Sequence, residues 1–358
     1  MSIPLDIGFR MWNRARQVSK RHVLQYNGNA KQICSQIVKK CYDKDHFNIS
    51  LGHYNFFWIR DFSWCIKPLI NLGYKKEVNS TLEYALNIYS KHNKITTSIT
   101  TTNHPIDIYY YSPDSLPSLL YCLVESNNKK LARKYKDFLN NQIDIYYHAV
   151  IDKETMLVKK HDKFSSIKDH CMRHSSCYDN LMIARLKEDI QKLRLVNFFK
   201  INYKNLIKDY FWNGSFFMED IDENNLSGDA NIFPYWLNVF TSRKMLKSSI
   251  EAIKKERLEY PLPLKFTSFR KKQIWQATFV PNAQGTSIWT NMGLLYIGLV
   301  KKLDKSEASR YLERYTNIIE KYHNFFEIFN ENEEPFKTFF YHADDSMLWS
   351  SIYLDLLK

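Results

Sequence analysis

Apolar residues recur along most of this chain at three- and four-residue spacing, the period of a helix buried on one face. The pattern predicts about twelve helical stretches after an N-terminal segment. They fall near 31–43, 62–73, 76–91, 114–126, 129–148, 175–188, 190–210, 230–241, 244–256, 286–302, 306–326 and 345–357. The links between them alternate in length. Those at Gly73–Lys75, Ser126–Asn128, Asp189, Ser242–Arg243 and Leu303–Lys305 are short, and a short link makes its two helices antiparallel neighbours. The links 44–61, 92–113, 149–174, 211–229, 257–285 and 327–343 are long. When every second link is long, all the long links gather at one end of the assembly. Compact domains seldom keep loops of that length without a use for them.

The helices alternate in character as well. Lys75–Lys91, Lys129–Tyr147, Arg243–Lys255 and Ser306–Tyr322 follow short links and are lysine-rich and amphipathic, as an outer ring with one wet face would be. Those after long links carry fewer charges and open on polar caps beside aromatics. They begin Arg60-Asp61-Phe62-Ser63-Trp64, Ser112-Pro113-Asp114-Ser115, Ser175-Ser176-Cys177-Tyr178-Asp179, Gly228-Asp229-Ala230-Asn231, Gly285-Thr286-Ser287-Ile288-Trp289 and Ala343-Asp344-Asp345-Ser346. They read as an inner ring enclosed by protein. No solenoid repeat is present, so the pattern predicts a closed all-α (α/α)6 toroid rather than an open array. Residues 1–30 are expected to form a helical segment packed on the barrel, and 31–358 a single domain. The inner-helix N-termini would converge on the long-loop face and offer spare N–H groups to oxygen-rich ligands. Asn213-Gly214 marks a hairpin in one long loop, and 257–285 carries a basic, aromatic, extended run.

Composition narrows the class further. Only nine of 358 residues are glycine, which argues against phosphate-cradling loops and against a turn-rich sandwich. No nucleotide or cofactor motif appears, and no cofactor is expected. The net charge is +13, but the lysines are scattered, whereas a nucleic-acid footprint would cluster. No nucleic-acid partner is expected. No apolar run approaches the ~20 residues of a membrane span, and residues 1–30 lack the apolar core of a signal peptide. The six cysteines are irregularly spaced and read as reduced and buried, which suggests a cytoplasmic protein. His170, Cys171, His174 and Cys177 are close together but come from one segment, so no metal site is assigned. Asp220-Ile221-Asp222-Glu223-Asn224 lacks the glycine and terminal glutamate of a calcium loop.

Four segments carry a family resemblance. Phe57-Trp58-Ile59-Arg60-Asp61-Phe62, Tyr111-Ser112-Pro113-Asp114-Ser115-Leu116, His323-Asn324-Phe325-Phe326-Glu327-Ile328-Phe329-Asn330 and Tyr341-His342-Ala343-Asp344-Asp345-Ser346-Met347-Leu348-Trp349 resemble segments of the (α/α)6 six-hairpin glycosidases. The nearest likeness is to processing α-glucosidases, amylo-α-1,6-glucosidases and neutral invertases, with glucoamylases in the same group, and it runs from about residue 50 to the C-terminus. It implies that Arg60 and Asp61 hold a terminal sugar under Trp58, that Asp114 is the general acid and that Glu327 is the general base. In those families the segment of the second carboxylate usually runs on to Asp-Gly. Here it reads Glu334-Pro335, and Phe329 stands where a Tyr is usual. The resemblance implies inversion, in which two carboxyls about 6.5–9.5 Å apart flank the bond and a water. Tyr54, Trp58 and Trp289 are candidates for the pocket wall, joined by Trp64 and Trp349. Arg173 and His174, which open an inner helix, are candidate sugar contacts.

The expectation is therefore an inverting, exo-acting glycoside hydrolase on an α-glucoside or short oligosaccharide. Two alternatives stand beside it. One is a sugar epimerase or isomerase on the same toroid, using His53, His174 or His342 as proton shuttles. The other is a non-catalytic protein that binds carbohydrate or an anionic polymer. The sugar, the linkage and the oligomeric state are not readable from the sequence.

Overall fold

The computed structural model describes residues 23–278 and 280–358. Residues 1–22 of the expected N-terminal segment lie outside the described residues. In chain order the helices are α1 Ala30–Cys41, α2 Ile59–Asn71, α3 Lys75–Lys91, α4 Ser115–Glu125, α5 Lys129–Lys134, α6 Lys136–Val150, α7 Cys177–Leu193, α8 Tyr203–Phe211, α9 Gly228–Trp236, α10 Arg243–Lys255, α11 Thr290–Val300, α12 Lys305–Tyr322 and α13 Ser350–Leu356.

The inner ring closes. Helix α2 packs on α4, α4 on α7, α7 on α9, α9 on α11, α11 on α13, and α13 returns to α2. Each outer helix lies against an inner one: α3 on α2, α5 and α6 on α4, α8 on α7, α10 on α9, α12 on α11 and α1 on α13. The fold is an all-α (α/α)6 toroid. Burial explains which helix goes where. Ten of eleven residues of α11 are buried, against five of eighteen in α12, so only α12 can tolerate its lysines and glutamates on a wet face. Gly293 lets the chain pass close to α11, since a Cβ there would run into the Pro263 carbonyl.

The third and fourth hairpins depart from the predicted boundaries. Asp189 is not a link: α7 runs through it to Leu193 and ends at Arg194, which adopts a left-handed φ of 56°. Asp189 is fully buried and held by Arg185 one turn earlier at 2.8 Å, and Arg185 also reaches Glu125 on α4. A polar residue that reads as a break is thus an internal tie between two inner helices. The link is 194–202. The Asn213-Gly214 turn forms as an isolated bridge between Trp212 and Phe217, and the stretch 257–285 holds isolated bridges and one 3₁₀ turn in place of regular strands.

The long links lie at the inner-helix N-termini and are stitched together by very short strands. After a two-residue hairpin (β1 Tyr42–Asp43 with β2 His46–Phe47), β3 Phe57–Trp58 pairs with β4 Ser98–Ile99, and β4 with β5 Pro105–Ile106. This ties the first long loop to the second. Strand β6 Ile288–Trp289 pairs with β7 Ile328–Phe329, tying the fifth to the sixth. Below them an aromatic stack fills the axis. Trp64 meets Phe233 at 6.1 Å and Trp349 at 6.2 Å, and Trp349 meets Trp289 at 6.5 Å. The toroid is therefore plugged at its centre below the loop face.

Candidate active site

Glu327 sits where α12 gives way to the sixth long loop. The β6–β7 pairing places it beside Trp289, and the Thr290 amide donates to its main-chain carbonyl at 3.2 Å. Its side chain is 3% exposed. Oε2 accepts from the Tyr341 hydroxyl and from the Asp344 amide at 3.0 Å, while Oε1 accepts no hydrogen bond from the described residues. Burial pushes this carboxyl up to about 8, with the neighbouring charges of Asp344 and Asp61 acting in the same direction and the Tyr341 and Asp344 hydrogen bonds opposing it.

Asp344 is the clasp that holds this region. It accepts from Ser50 Oγ at 2.5 Å and from the amides of His53 and Tyr54 at 3.0 Å each. Gly52 permits that geometry, since a Cβ there would collide with Asp344 Oδ1. The first loop is thereby fastened to the sixth, and Tyr54 is brought beside Glu327. The Tyr54 hydroxyl is raised by burial and then by the Glu327 charge. Its ring meets Trp58 edge-on at 5.1 Å, and the buried Trp58 indole N–H finds no acceptor among the described residues.

Asp61 opens the first turn of α2 and is part-exposed. Its carboxyl accepts no side-chain hydrogen bond from the described residues. Burial pushes it up to about 7, and the adjacent Arg60 is the chief opposing influence. Deep placement with surviving access describes a group on the floor of a pocket. Arg60 turns the other way. It lies 2.7 Å from Asp114 Oδ2 through Nε and grips Asp169 with both terminal nitrogens, at 3.0 and 3.3 Å.

Asp114 lies behind Arg60 and is 0% exposed. Ser112 Oγ stands 3.0 Å from one oxygen, and the Tyr178 hydroxyl 3.2 Å from the other. All of its acceptor capacity faces protein. Asp169, from the third long loop, keeps 14% of its side chain exposed. Burial raises its carboxyl despite the guanidinium. Tyr109 lies close enough for the Asp169 charge to raise its hydroxyl further above the level set by burial.

The remaining expected sugar contacts divide. Trp289 is part-buried, with its indole N–H donating to the Ala283 carbonyl at 2.6 Å. Arg173 is buried in an ion cluster, 2.9 Å from Asp229 and 3.8 Å from Asp179, beside the fully buried Lys168–Glu219 pair. His174 points to the surface, where it meets Asp222 at 2.7 Å with about half of its side chain exposed. The structure thus brings together Tyr54, Trp58, Asp61, Glu327 and Trp289, seals Asp114, buries Arg173 and turns His174 away. Sequence reasoning passed over Asp169 and the holding roles of Tyr341 and Asp344. Asp169 stands in Lys168-Asp169-His170, which has no motif. Its only signal is topological, because in a six-hairpin ring the third loop faces the sixth.

Solved structures share this architecture. A glycosidase variant in complex with glucose superposes with a TM-score of 0.63 at 10% identity, covering 98% of this chain and 96% of that one. The rhamnosidase from Klebsiella oxytoca with rhamnose bound gives 0.63 at 14%, covering 92% of this chain and 62% of that one. The GH63 mannosylglycerate hydrolase from Thermus thermophilus, in complex with Tris and D-glycerate, gives 0.60 at 10%, covering 92% and 99%. At these identities the likeness establishes the toroid fold. No family model and no curated protein sequence matches the chain. No helix among the described residues is long and apolar enough to cross a membrane.

Proposed function

We propose that this chain is a glycoside hydrolase that removes a terminal sugar from an α-glucoside or short oligosaccharide with inversion. The observation that carries the reading is Glu327. It is a buried carboxyl with one oxygen fixed by two neutral donors and the other oxygen bare, beside an open Asp61 that no described side chain holds by a hydrogen bond. Burial raises Glu327 and also Asp169 in the third long loop, and the two are held differently, as acid–base cleavage of a glycoside requires.

In this reading Glu327 Oε1 takes a proton from water as the water attacks the anomeric carbon. The acid must stand on the other side of the sugar. We do not assign it to Asp61, which lies between the two ends: the Asp169 and Asp114 charges raise its carboxyl, and its own charge raises Glu327. The third sector lies opposite, and its carboxyl with access is Asp169. We assign proton donation to Asp169 and leave Asp114, the acid implied by family resemblance, to anchor Arg60. Asp61 and the unsatisfied Trp58 N–H then meet the hydroxyls of the terminal ring, and Tyr54 and Trp289 cover its C–H faces.

Of the histidines that the epimerase alternative would use, His174 faces solvent and meets Asp222, whereas His53 lies buried 3.5 Å from Asp344 and against the Tyr54 and Tyr341 rings, so product analysis decides between the two readings. The solved glycosidases of this fold and the buried, unpaired cysteines fit a carbohydrate-acting protein of a reducing compartment. The test is incubation with maltose, trehalose and sucrose, followed by proton NMR. The expected result is bond cleavage with the attacked glucose appearing first as the β-anomer, alone from sucrose and paired with an equal amount of α-glucose from trehalose. Epimerised product without cleavage, or α-glucose appearing first from sucrose, refutes the mechanism.

A further inference from the structure

Exposed aromatic rings lie beside both segments that carry the proposed carboxylates. On one side, Gln273 of the fifth long loop bridges to Cys171 and the Ile274 amide donates to the His170 carbonyl at 2.8 Å, so the following 3₁₀ turn, Trp275–Ala277, packs on the Asp169-His170 turn. The turn is fixed from a second side by Gln276, whose amide donates to the Tyr110 hydroxyl at 3.3 Å. Trp275 at its tip is 78% exposed. On the other side, Lys337 bridges to His342, and the Thr338 amide donates to the Tyr341 carbonyl at 2.7 Å. This tight turn holds Tyr341 inward on Glu327 and presents Phe339 and Phe340 outward, 84% and 48% exposed.

Exposed apolar residues scattered singly are ordinary on a folded surface, but Phe339 and Trp275 are the most exposed large hydrophobic residues among those described. They lie on long loops, one packed on the Asp169 turn and the other continuous with Tyr341. Their surroundings are polar: Lys272, Gln276 and Thr278 flank Trp275, and Lys337 and Thr338 flank the phenylalanines. An apolar protein face or a lipid would need a continuous greasy patch. A sugar chain instead presents flat C–H faces to an aromatic ring and hydroxyls to the amides and lysines around it.

Building on the hydrolase reading, we infer that Trp275 and the Phe339-Phe340 turn form an outer subsite that grips the leaving part of an extended oligosaccharide. A disaccharide fills the pocket without reaching the rim, and longer chains gain the rim contacts. The chain is therefore built for substrates of three or more sugar units.

The test compares maltose with maltotriose, maltotetraose and maltopentaose on the whole protein. In wild type, kcat/KM is expected to rise with chain length. In Trp275→Ala that gain falls by about tenfold for maltopentaose, while maltose turnover stays within about twofold. Phe339→Ser/Phe340→Ser should remove a smaller part of the same gain, and neither change should move Tm, since the rings are exposed. The same series measured by calorimetry on Glu327→Gln separates the two readings. If no glycoside is cleaved but maltopentaose still binds more tightly than maltose through Trp275, the hydrolase fails and the rim stands. If maltose and maltopentaose are cleaved equally well, or the gain survives both variants, the rim fails and the hydrolase stands. Attachment of the protein to neutral lipid vesicles that is lost in Trp275→Ala, without any chain-length effect, also overturns the rim.

Discussion

Two groups of carboxyls face each other across the ring, and they are held by opposite means. Around Glu327 every hydrogen-bond donor among the described residues is neutral: a tyrosine hydroxyl and a main-chain amide. Around Asp114 and Asp169 the holder is a cation, Arg60, and deeper in the third and fourth sectors Arg173 and Lys168 do the same for Asp179, Asp229 and Glu219. Burial raises the carboxyls at both ends of the pocket, but only the second end opposes it with full charges. The difference separates acids tied to a fixed cation from an acid held by neutral donors. Where arginine neutralises a buried acid, removing the arginine strands the acid. Where neutral donors hold the acid, no counter-charge opposes its protonation.

The largest effect expected from breaking this contrast is on stability. Arg60→Met leaves Asp114 fully buried and Asp169 mostly buried without their ion-pair partner, and removing one partner of a buried pair costs about 3–5 kcal/mol. A lowered urea midpoint with an unchanged m-value would show it. Midpoints equal to wild type would mean that the carboxyls are not held as charges. Asp114→Asn keeps the shape and the Ser112 contact, so it should weaken the fold less. It should also retain turnover, whereas Asp169→Asn should not.

Glu327→Gln reverses the pattern. Loss of the proposed base should lower kcat by about 10²–10⁴-fold while leaving the fold intact. Stability should even become less sensitive to pH. Glu327 is raised to about 8 in the folded chain and lies near the ordinary carboxylate value when unfolded. The folded state therefore binds its proton more tightly, and that stability is complete at low pH and lost as pH climbs through about 8. Asp61, raised to about 7, adds a smaller loss of the same sign. Thermal melts from acid to alkaline pH should fall for wild type and fall less for Glu327→Gln. Parallel curves would remove the buried-acid interpretation.

How much of this was legible beforehand follows from what each feature depends on. The ring depends on helix period and link length, both local, so twelve stretches and six long loops could be read with errors only where a local cue misleads. Asp189 shows the failure: it mimics a break because its partner, Arg185, also polar, is visible only once both are inside. Glu327, Asp61, Tyr54 and Trp289 could be named as candidates because each adjoins a helix end or a short strand whose position is set by nearby residues. Asp114 is harder to read for the converse reason. A polar residue at an inner-helix start looks as though it faces the mouth, yet Arg60 on the adjoining inner helix lies over it. Asp169 depends on ring closure alone, since only the order of six sectors sets the third loop against the sixth, and nothing in Lys168-Asp169-His170 announces that.

The finest test addresses the sign of Glu327's role. A base works when ionised, so kcat/KM should rise with pH along a limb governed by Glu327 near about 8. The Tyr341 hydroxyl stabilises the ionised form and so pulls that pKa down. Tyr341→Phe removes the donor and leaves the Asp344 amide in place, so the limb should move to higher pH. Activity near neutrality should fall by roughly ten- to a hundredfold, the worth of one hydrogen bond to a charged group, and should recover toward wild type in alkaline buffer. An acid behaves in the opposite way: its limb falls with rising pH, and raising its pKa would extend activity upward instead of reducing it at neutrality. The direction in which Tyr341→Phe moves the profile therefore decides whether Glu327 takes the proton from water or gives one to the leaving group. A profile that does not move would show that Tyr341 only fills space.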